Sequence, residues 1–189
     1  MNKKFSIGDI LKPTIVLALI CLITSALLAY TNSLTAPVIK QNNIASANAS
    51  KAVVLADAEN FADETKGDIS YSVGTDASGA VAGYVFTTTA KSYGGEISVM
   101  VGIKADGTVS GVELLSINDT PGLGMNAKNP SFLEQFVGKV AGILVNKNEP
   151  AENEIKALTG ATVTSKAVTA AVNTALDNYA EITGGVNNG

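Results

Sequence analysis

The sequence predicts an α+β protein: a single N-terminal transmembrane helix followed by one extracytoplasmic domain, with a mainly antiparallel sheet flanked by helices. Three observations carry this expectation. An uncharged apolar run, "TIVLALICLITSALLAY", fills Thr14 to Tyr30. Two β-favouring runs in the middle of the chain are joined by an Asp-Gly turn, the signature of a hairpin rather than a crossover. A helix-periodic run then closes the chain. The expected division is a cytoplasmic N-terminus at 1–12, a transmembrane helix at 13–35, a helical connector at 36–66 and one folded domain at 67–189.

The apolar run comes first. Seventeen helical residues rise roughly 25 Å, and Leu11, Asn32 and Leu34 extend the span toward the ~30 Å of a hydrocarbon core. Pro13 suits the first turn and Tyr30 an interface. Lys3, Lys4 and Lys12 precede the run against Asp9 alone, so the N-terminus is expected in the cytoplasm and the rest of the chain outside. A cleaved signal peptide is the rival reading. The run is longer than a usual signal core, and the small-residue site near Ala36 is followed by Pro37, which favours a retained anchor in membrane lipid. Cys21 lies inside the run and reads as packing.

Pro37 to about Ala58 is alanine-rich and predicts a helix, either continuous or interrupted near Asn48–Ser50. Strands are expected at Ile69–Val73 and Ala80–Thr89, around a turn at Asp76–Gly79. Glu96–Lys104 and Thr108–Ile117 form the hairpin around "ADG". Ile97, Val99, Val101 and Ile103 alternate onto one face, and Gly111 marks a bulge in the partner strand. A turn-rich loop precedes a short helix at Ser131–Val140, with Phe132, Leu133, Phe136 and Val137 at helical spacing. "GILVN" predicts a strand and "NKNEPAENE" an exposed connection. The last helix is expected from Thr164 to Tyr179, with Val168, Val172, Ala175, Leu176 and Tyr179 lining one face and Gly184–Gly185 just past its end.

Composition removes much chemistry. All thirteen basic residues are lysines, and there is no histidine. That excludes Ser-His-Asp and Cys-His triads and histidine-ligated haem. One cysteine excludes an internal disulfide and a four-cysteine cluster. A net charge of −4 without a basic patch argues against nucleic acid as a partner.

"LTGATVTSKAV", residues 158–168, places Thr159, Thr162, Thr164 and Ser165 at the start of the last helix. One N-cap needs only one hydroxyl. The cluster is therefore either an over-furnished cap or a place where a phosphate is held against the helix N-terminus. Lys166 stands in the first turn, where a purely structural helix prefers an acid, and a neighbouring anion would account for it. No P-loop pattern is present.

"LTGATVTS" resembles the flavinylation motif of the FMN-binding domain shared by the G subunit of the Rnf electron-transport complex and the C subunit of the sodium-translocating NADH:quinone reductase. "SYGGEISVMVGI" (92–103), "DTPGLG" (119–124) before "FLEQF", and an N-terminal span ending in "LTAPVI" agree with it, so the resemblance covers nearly the whole chain. The length fits the Rnf protein better. The family's motif often begins with Asp three residues before the first hydroxyl, where this chain has Lys156. Its usual acid in the "TPGLG" loop is glutamate, where this chain has Asp119.

The resemblance implies that Thr162 carries FMN through a phosphoester installed by a dedicated flavin transferase, within the motif Thr159, Gly160, Ala161 and Thr162. Helix amides, Thr159, Thr164, Ser165 and Lys166 are then the candidates for offsetting the remaining negative charge. Leu123 is the candidate for packing on the flavin ring, held between Gly122 and Gly124 in the loop that begins at Thr120. Thr120, Gly122, Gly94 and Gly95 join the cofactor-binding candidates on the same resemblance; on their own, "TPGLG" reads equally as a Pro-Gly turn, and Gly94–Gly95 as a bend where a strand begins.

The function so implied is electron relay within a membrane complex that couples electron flow between ferredoxin and NAD⁺ to sodium or proton export. The partners would be the other subunits of that complex. Two other classes are compatible with the sequence: a non-redox extracytoplasmic scaffold and a free-standing flavin reductase.

Overall fold

The computed structural model describes residues 7–184, without the side chains of residues 7–10, 12–13 and 37–48. Lys3, Lys4 and Gly185, and the side chain of Lys12, lie outside the described residues. The chain divides into two compact units, Met1–Ala47 and Asn48–Gly189.

Helix α1 (Ile7–Val54) supplies the whole described part of the first unit. Within it, Thr14–Ala36 is long and apolar enough to cross a membrane, at a mean hydropathy of 2.2 over 23 residues. Those residues rise about 35 Å, which exceeds the ~30 Å hydrocarbon thickness. Of the two alternatives at Asn48–Ser50 the continuous helix is the one observed, and it runs on to Val54.

The second unit is built on an antiparallel meander in the order β1-β2-β3-β4-β5. Its strands are β1 (Asn60–Lys66), β2 (Ile69–Thr75), β3 (Val81–Ser92), β4 (Gly95–Lys104) and β5 (Val109–Ser116). The expectation of a helical connector up to residue 66 is corrected here, because 60–66 is a strand. "NFADETK" has no apolar alternation to announce it, and only Phe61 is even half-buried. Its strand state comes from pairing along its whole length with β2, from Asn60 opposite Thr75 to Lys66 opposite Ile69.

β4 is the central strand of the core. Ile97, Val99, Val101 and Ile103 are at most 1% exposed on one face, as the alternation predicts. Helix α3 (Thr162–Thr183) covers that face with Val168, Ala171, Val172, Ala175 and Leu176. The Thr88 hydroxyl donates to the Ala171 carbonyl at 2.9 Å beneath this layer. α3 starts two residues before the predicted Thr164 and ends one turn beyond Tyr179, where Gly184 adopts the left-handed conformation at φ 83°.

The opposite face of the sheet receives the last turn of α1. A β-carbon on Gly102 would lie 2.2 Å from the Val54 carbonyl oxygen, and one on Gly111 2.8 Å from it. The bulge expected at Gly111 is present, with Ser110 as the extra residue between the Gly102–Gly111 and Ile103–Val109 pairs. Ser110 donates its hydroxyl to the Val54 carbonyl at 2.5 Å. Lys51 is nearly buried and reaches Asp63 of β1 at 2.6 Å. Its hydrogen bond, with that of Ser72, holds the Asp63 carboxyl below the usual range.

The helix expected at 131–140 is shorter. α2 (Pro130–Leu133) passes into a 3-10 turn at Glu134–Phe136. Phe132 and Phe136 are buried edge-to-face, with ring centroids 5.7 Å apart. Val137 instead turns out to solvent at 50% exposure. The reason is competition from β5: Val109 donates to the Lys139 carbonyl and accepts from the Gly138 amide, which extends the chain there. β6 (Leu144–Asn146) falls within the expected "GILVN" strand. β7 (Glu154–Lys156) pairs with it in parallel, so the end of the predicted connection is also a strand.

Candidate functional site

The first turn of α3, the 119–124 loop and the tight turn between β3 and β4 meet around one buried carboxylate, that of Asp119. It is 3% exposed. Its Oδ2 accepts hydrogen bonds from the hydroxyls of Ser92 and Thr164, each at 2.5 Å, and its Oδ1 accepts the Gly94 amide at 2.6 Å. Burial alone would push this carboxyl up. The donations from Ser92, Thr164 and the backbone of Gly94 and Tyr93 outweigh it and hold the group below the usual aspartate range. It is therefore an ionised clamp joining three segments.

Two glycines make the clamp sterically feasible. A β-carbon on Gly94 would lie 2.2 Å from the Asn118 carbonyl oxygen. One on Gly124 would lie 2.6 Å from both Asp119 Cβ and the Thr164 hydroxyl. No other residue type admits such approach without moving backbone.

The hydroxyl cluster now separates into distinct roles. The N-cap of α3 is Ala161, and no side chain caps it. Thr164 is given to Asp119. Ser165 donates to the Ala161 carbonyl and accepts the Leu158 amide, closing the turn before the helix. Thr159 is exposed. Thr162, the first residue of the helix, is half-exposed, and its hydroxyl has no partner among the described residues.

Thr162 opens onto a cavity of about 480 Å³. Tyr93, Leu123 and Val163 give it apolar walls, Asp119, Thr120 and Thr164 polar ones, and Gly124, Gly160 and Ala161 complete it. This size and mixture suit a small ligand with an aromatic body. Leu123 is 44% exposed and rests against Gly160, whose β-carbon would come within 3.0 Å of it.

Of the residues singled out from sequence, Thr162, Gly160, Ala161, Thr164, Leu123 and Thr120 line this cavity. Thr159 lines a smaller neighbouring one. Ser165 is fully buried beneath the turn. Gly94 acts through Asp119 rather than at the wall. Gly95 and Gly122 serve their turns, at φ 128° and 78°. Lys166 is exposed and lines neither cavity. Sequence reasoning missed Tyr93 and Val163 as site residues, and it named Asp119 and Gly124 only as parts of the loop motif around Leu123. For Asp119 a signal existed: it is the sole acid between Glu113 and Glu134, and it precedes a Pro-Gly turn.

The FMN-binding domain family matches residues 92–177, which include Tyr93, Asp119, Leu123 and Thr162, and the RnfG N-terminal region matches residues 1–50. The chain is 36% identical over 170 residues to the G subunit of a proton-translocating ferredoxin:NAD⁺ oxidoreductase complex from Clostridium ljungdahlii, covering 89% of this chain and 91% of that one. It is 32% identical to the G subunit of the Na⁺-translocating counterpart from Acetobacterium woodii, covering 90% and 91%. Among solved structures it resembles the C subunit of the Na⁺-translocating NADH-quinone reductase from Parabacteroides distasonis, with a TM-score of 0.53 at 22% identity, over 62% of this chain and 65% of that one. NqrC of Shewanella oneidensis gives a TM-score of 0.51 at 21% identity, over 64% and 66%. The last two establish a shared fold. With an apolar N-terminal helix, an FMN-binding domain and G-subunit relatives matched over nearly their full length, this chain belongs to the RnfG family.

Proposed function

We propose that this chain is a membrane-anchored electron carrier whose FMN is joined to Thr162 through a phosphoester, acting within an ion-translocating ferredoxin:NAD⁺ oxidoreductase complex. The observation that carries the reading is the state of Thr162. In a cluster where Thr164 and Ser165 are buried and spoken for, it keeps an unpartnered hydroxyl on a cavity of suitable size. When bound, FMN supplies reversible one- and two-electron chemistry. The protein's part is to hold it: Leu123, Tyr93 and Val163 offer apolar surface, and the Asp119 clamp fixes the loop carrying Leu123 against α3.

Joining a hydroxyl to a phosphate in water requires a flavin donor activated as a phosphoanhydride. The Thr162 Oγ–P bond forms as the anhydride P–O bond breaks, the hydroxyl proton leaves, and the nucleotide departs with the other phosphate. A flavin transferase acting on an exposed turn fits this need. The product phosphodiester keeps one negative charge. The folded domain lies outside the cytoplasm in this reading, because lysines cluster before the span. Reaction with ferredoxin or NAD⁺ belongs to the assembly.

The test is to express the full chain with and without a flavin transferase. The modified protein should be yellow, keep its flavin fluorescence through denaturation, and show FMN on the peptide containing Thr162. Thr162→Ala should be colourless with its melting temperature almost unchanged, since its side chain makes no hydrogen bond and such surface changes stay within about 0.5 kcal/mol. Flavin lost on denaturation of the wild type, or retained covalently by Thr162→Ala, would overturn the assignment.

A further inference from the structure

Thr162 faces two cavities. Besides the larger one, it lines a second of about 280 Å³, together with Lys147, Ala157, Leu158, Thr159 and Gly160. Gly160 and Thr162 are common to both. The two chambers differ in chemistry. The larger has apolar walls and one charge, the buried carboxylate of Asp119. The smaller has no acid; its one charge is the ammonium of Lys147, which makes no ion pair among the described residues, and Thr159 adds a hydroxyl to its lining.

Resting on the reading that Thr162 carries FMN, we infer that the smaller cavity is the phosphate subsite of the attached flavin, with Lys147 as its counter-ion, and that the ring occupies the larger cavity. The electrostatics select this arrangement. A phosphodiester on Thr162 Oγ aimed into the larger chamber would face Asp119, a like charge; aimed into the smaller one it meets a cation and a hydroxyl donor. The aromatic ring has the opposite preference. Neither Lys166 nor Lys156 lines either chamber, so the lysine in the helix's first turn is not the residue the geometry selects.

The test compares Lys147→Met, Lys147→Glu and Lys166→Met in the full chain, each with and without flavinylation. Mass spectrometry first locates FMN on Thr162, and every readout is taken on the loaded fraction that purifies. The ³¹P resonance of the phosphodiester should move in Lys147→Met and stay in place in Lys166→Met. Lys147→Glu should lower the melting temperature of the loaded protein by about 2–4 °C at low salt, leave the unloaded protein unchanged, and lose the difference at high salt. An unmoved ³¹P resonance with equal melting shifts in loaded and unloaded forms would overturn the inference, as would a resonance that follows Lys166 instead. FMN absent from Thr162 in the wild type would sink the underlying reading, an outcome distinct from either.

Discussion

Replacing Asp119 by Ala removes the acceptor that joins three segments, and the structure sets the scale of the loss. The Gly94 amide is fixed in a turn that cannot rotate, so its orphaning costs about 1–3 kcal/mol. The Thr164 hydroxyl is 2% exposed but can rotate about its C–O bond, which the Gly94 amide cannot, so its loss is smaller, about 0.5–1 kcal/mol. Ser92 is also buried and adds a similar amount. Relief of carboxylate desolvation offsets part of this, leaving a net cost of about 2–4 kcal/mol. For a unit of this size that lowers the melting temperature by roughly 10 °C. Asp119→Asn keeps one acceptor oxygen and should lose about half as much. Adding Thr164→Val to Asp119→Ala should cost less than the sum, because the orphaned hydroxyl is removed with its partner.

The pH dependence supplies an independent readout. The folded carboxyl lies below the ordinary value of about 3.9, so its stabilisation is fully present above that pH and is lost as pH falls through the folded value. Wild type should therefore weaken below about pH 4 more steeply than Asp119→Ala. Thermal melts of the full chain in detergent from neutral pH down to pH 3 would measure both effects. A cost for Asp119→Ala under about 1 kcal/mol, or parallel acid limbs, would refute the clamp.

Two further outcomes follow from the rest of the molecule. Gly102→Ala should destabilise the domain by about 2–4 kcal/mol, since the added carbon would lie 2.2 Å from the Val54 carbonyl oxygen and backbone must move; an unchanged melting temperature would show that the last turn of α1 does not dock there in solution. In a chain with Cys21 replaced by Ser, a cysteine introduced at Asn187 should react with an impermeant thiol reagent in intact cells, and protection until lysis would reverse the proposed orientation.

What was legible in the sequence follows from how locally each element is determined. α3 announced itself because Val168, Val172, Ala175 and Leu176 repeat at the helical period, and the β4–β5 hairpin because alternation and an Asp-Gly turn coincide in one short window. β1 carries almost no buried side chain, so nothing in "NFADETK" records that β2 pairs with it. The helix after Pro130 was overextended because its stop is set by Val109, far back along the chain, rather than by a local signal. The site divides in the same manner. The concentration of hydroxyls before α3 was visible. Which of them is free was not, because Thr164 is claimed by Asp119 from a distant loop and Ser165 by the turn beneath it.

The openness of the site bears on why a covalent link would be used. Tyr93 and Val163 line the larger cavity at 77% and 54% exposure, so a flavin resting there is not enclosed. An open site suits a carrier that must be approached by other redox centres, but it limits the apolar area a ring can bury and therefore the affinity. Ionic help for the phosphate is also weak. The chain has no arginine for bidentate contact, and exposed lysines are screened by salt. A bond to Thr162, as proposed, would remove dissociation from the problem altogether and leave the walls to position the ring alone. It follows that Thr162→Ala should fail to retain added FMN through dialysis at physiological salt, even with the cavity intact. Retention of FMN through that dialysis would mean that the walls suffice to hold the flavin, and weak non-covalent binding could no longer explain a covalent attachment.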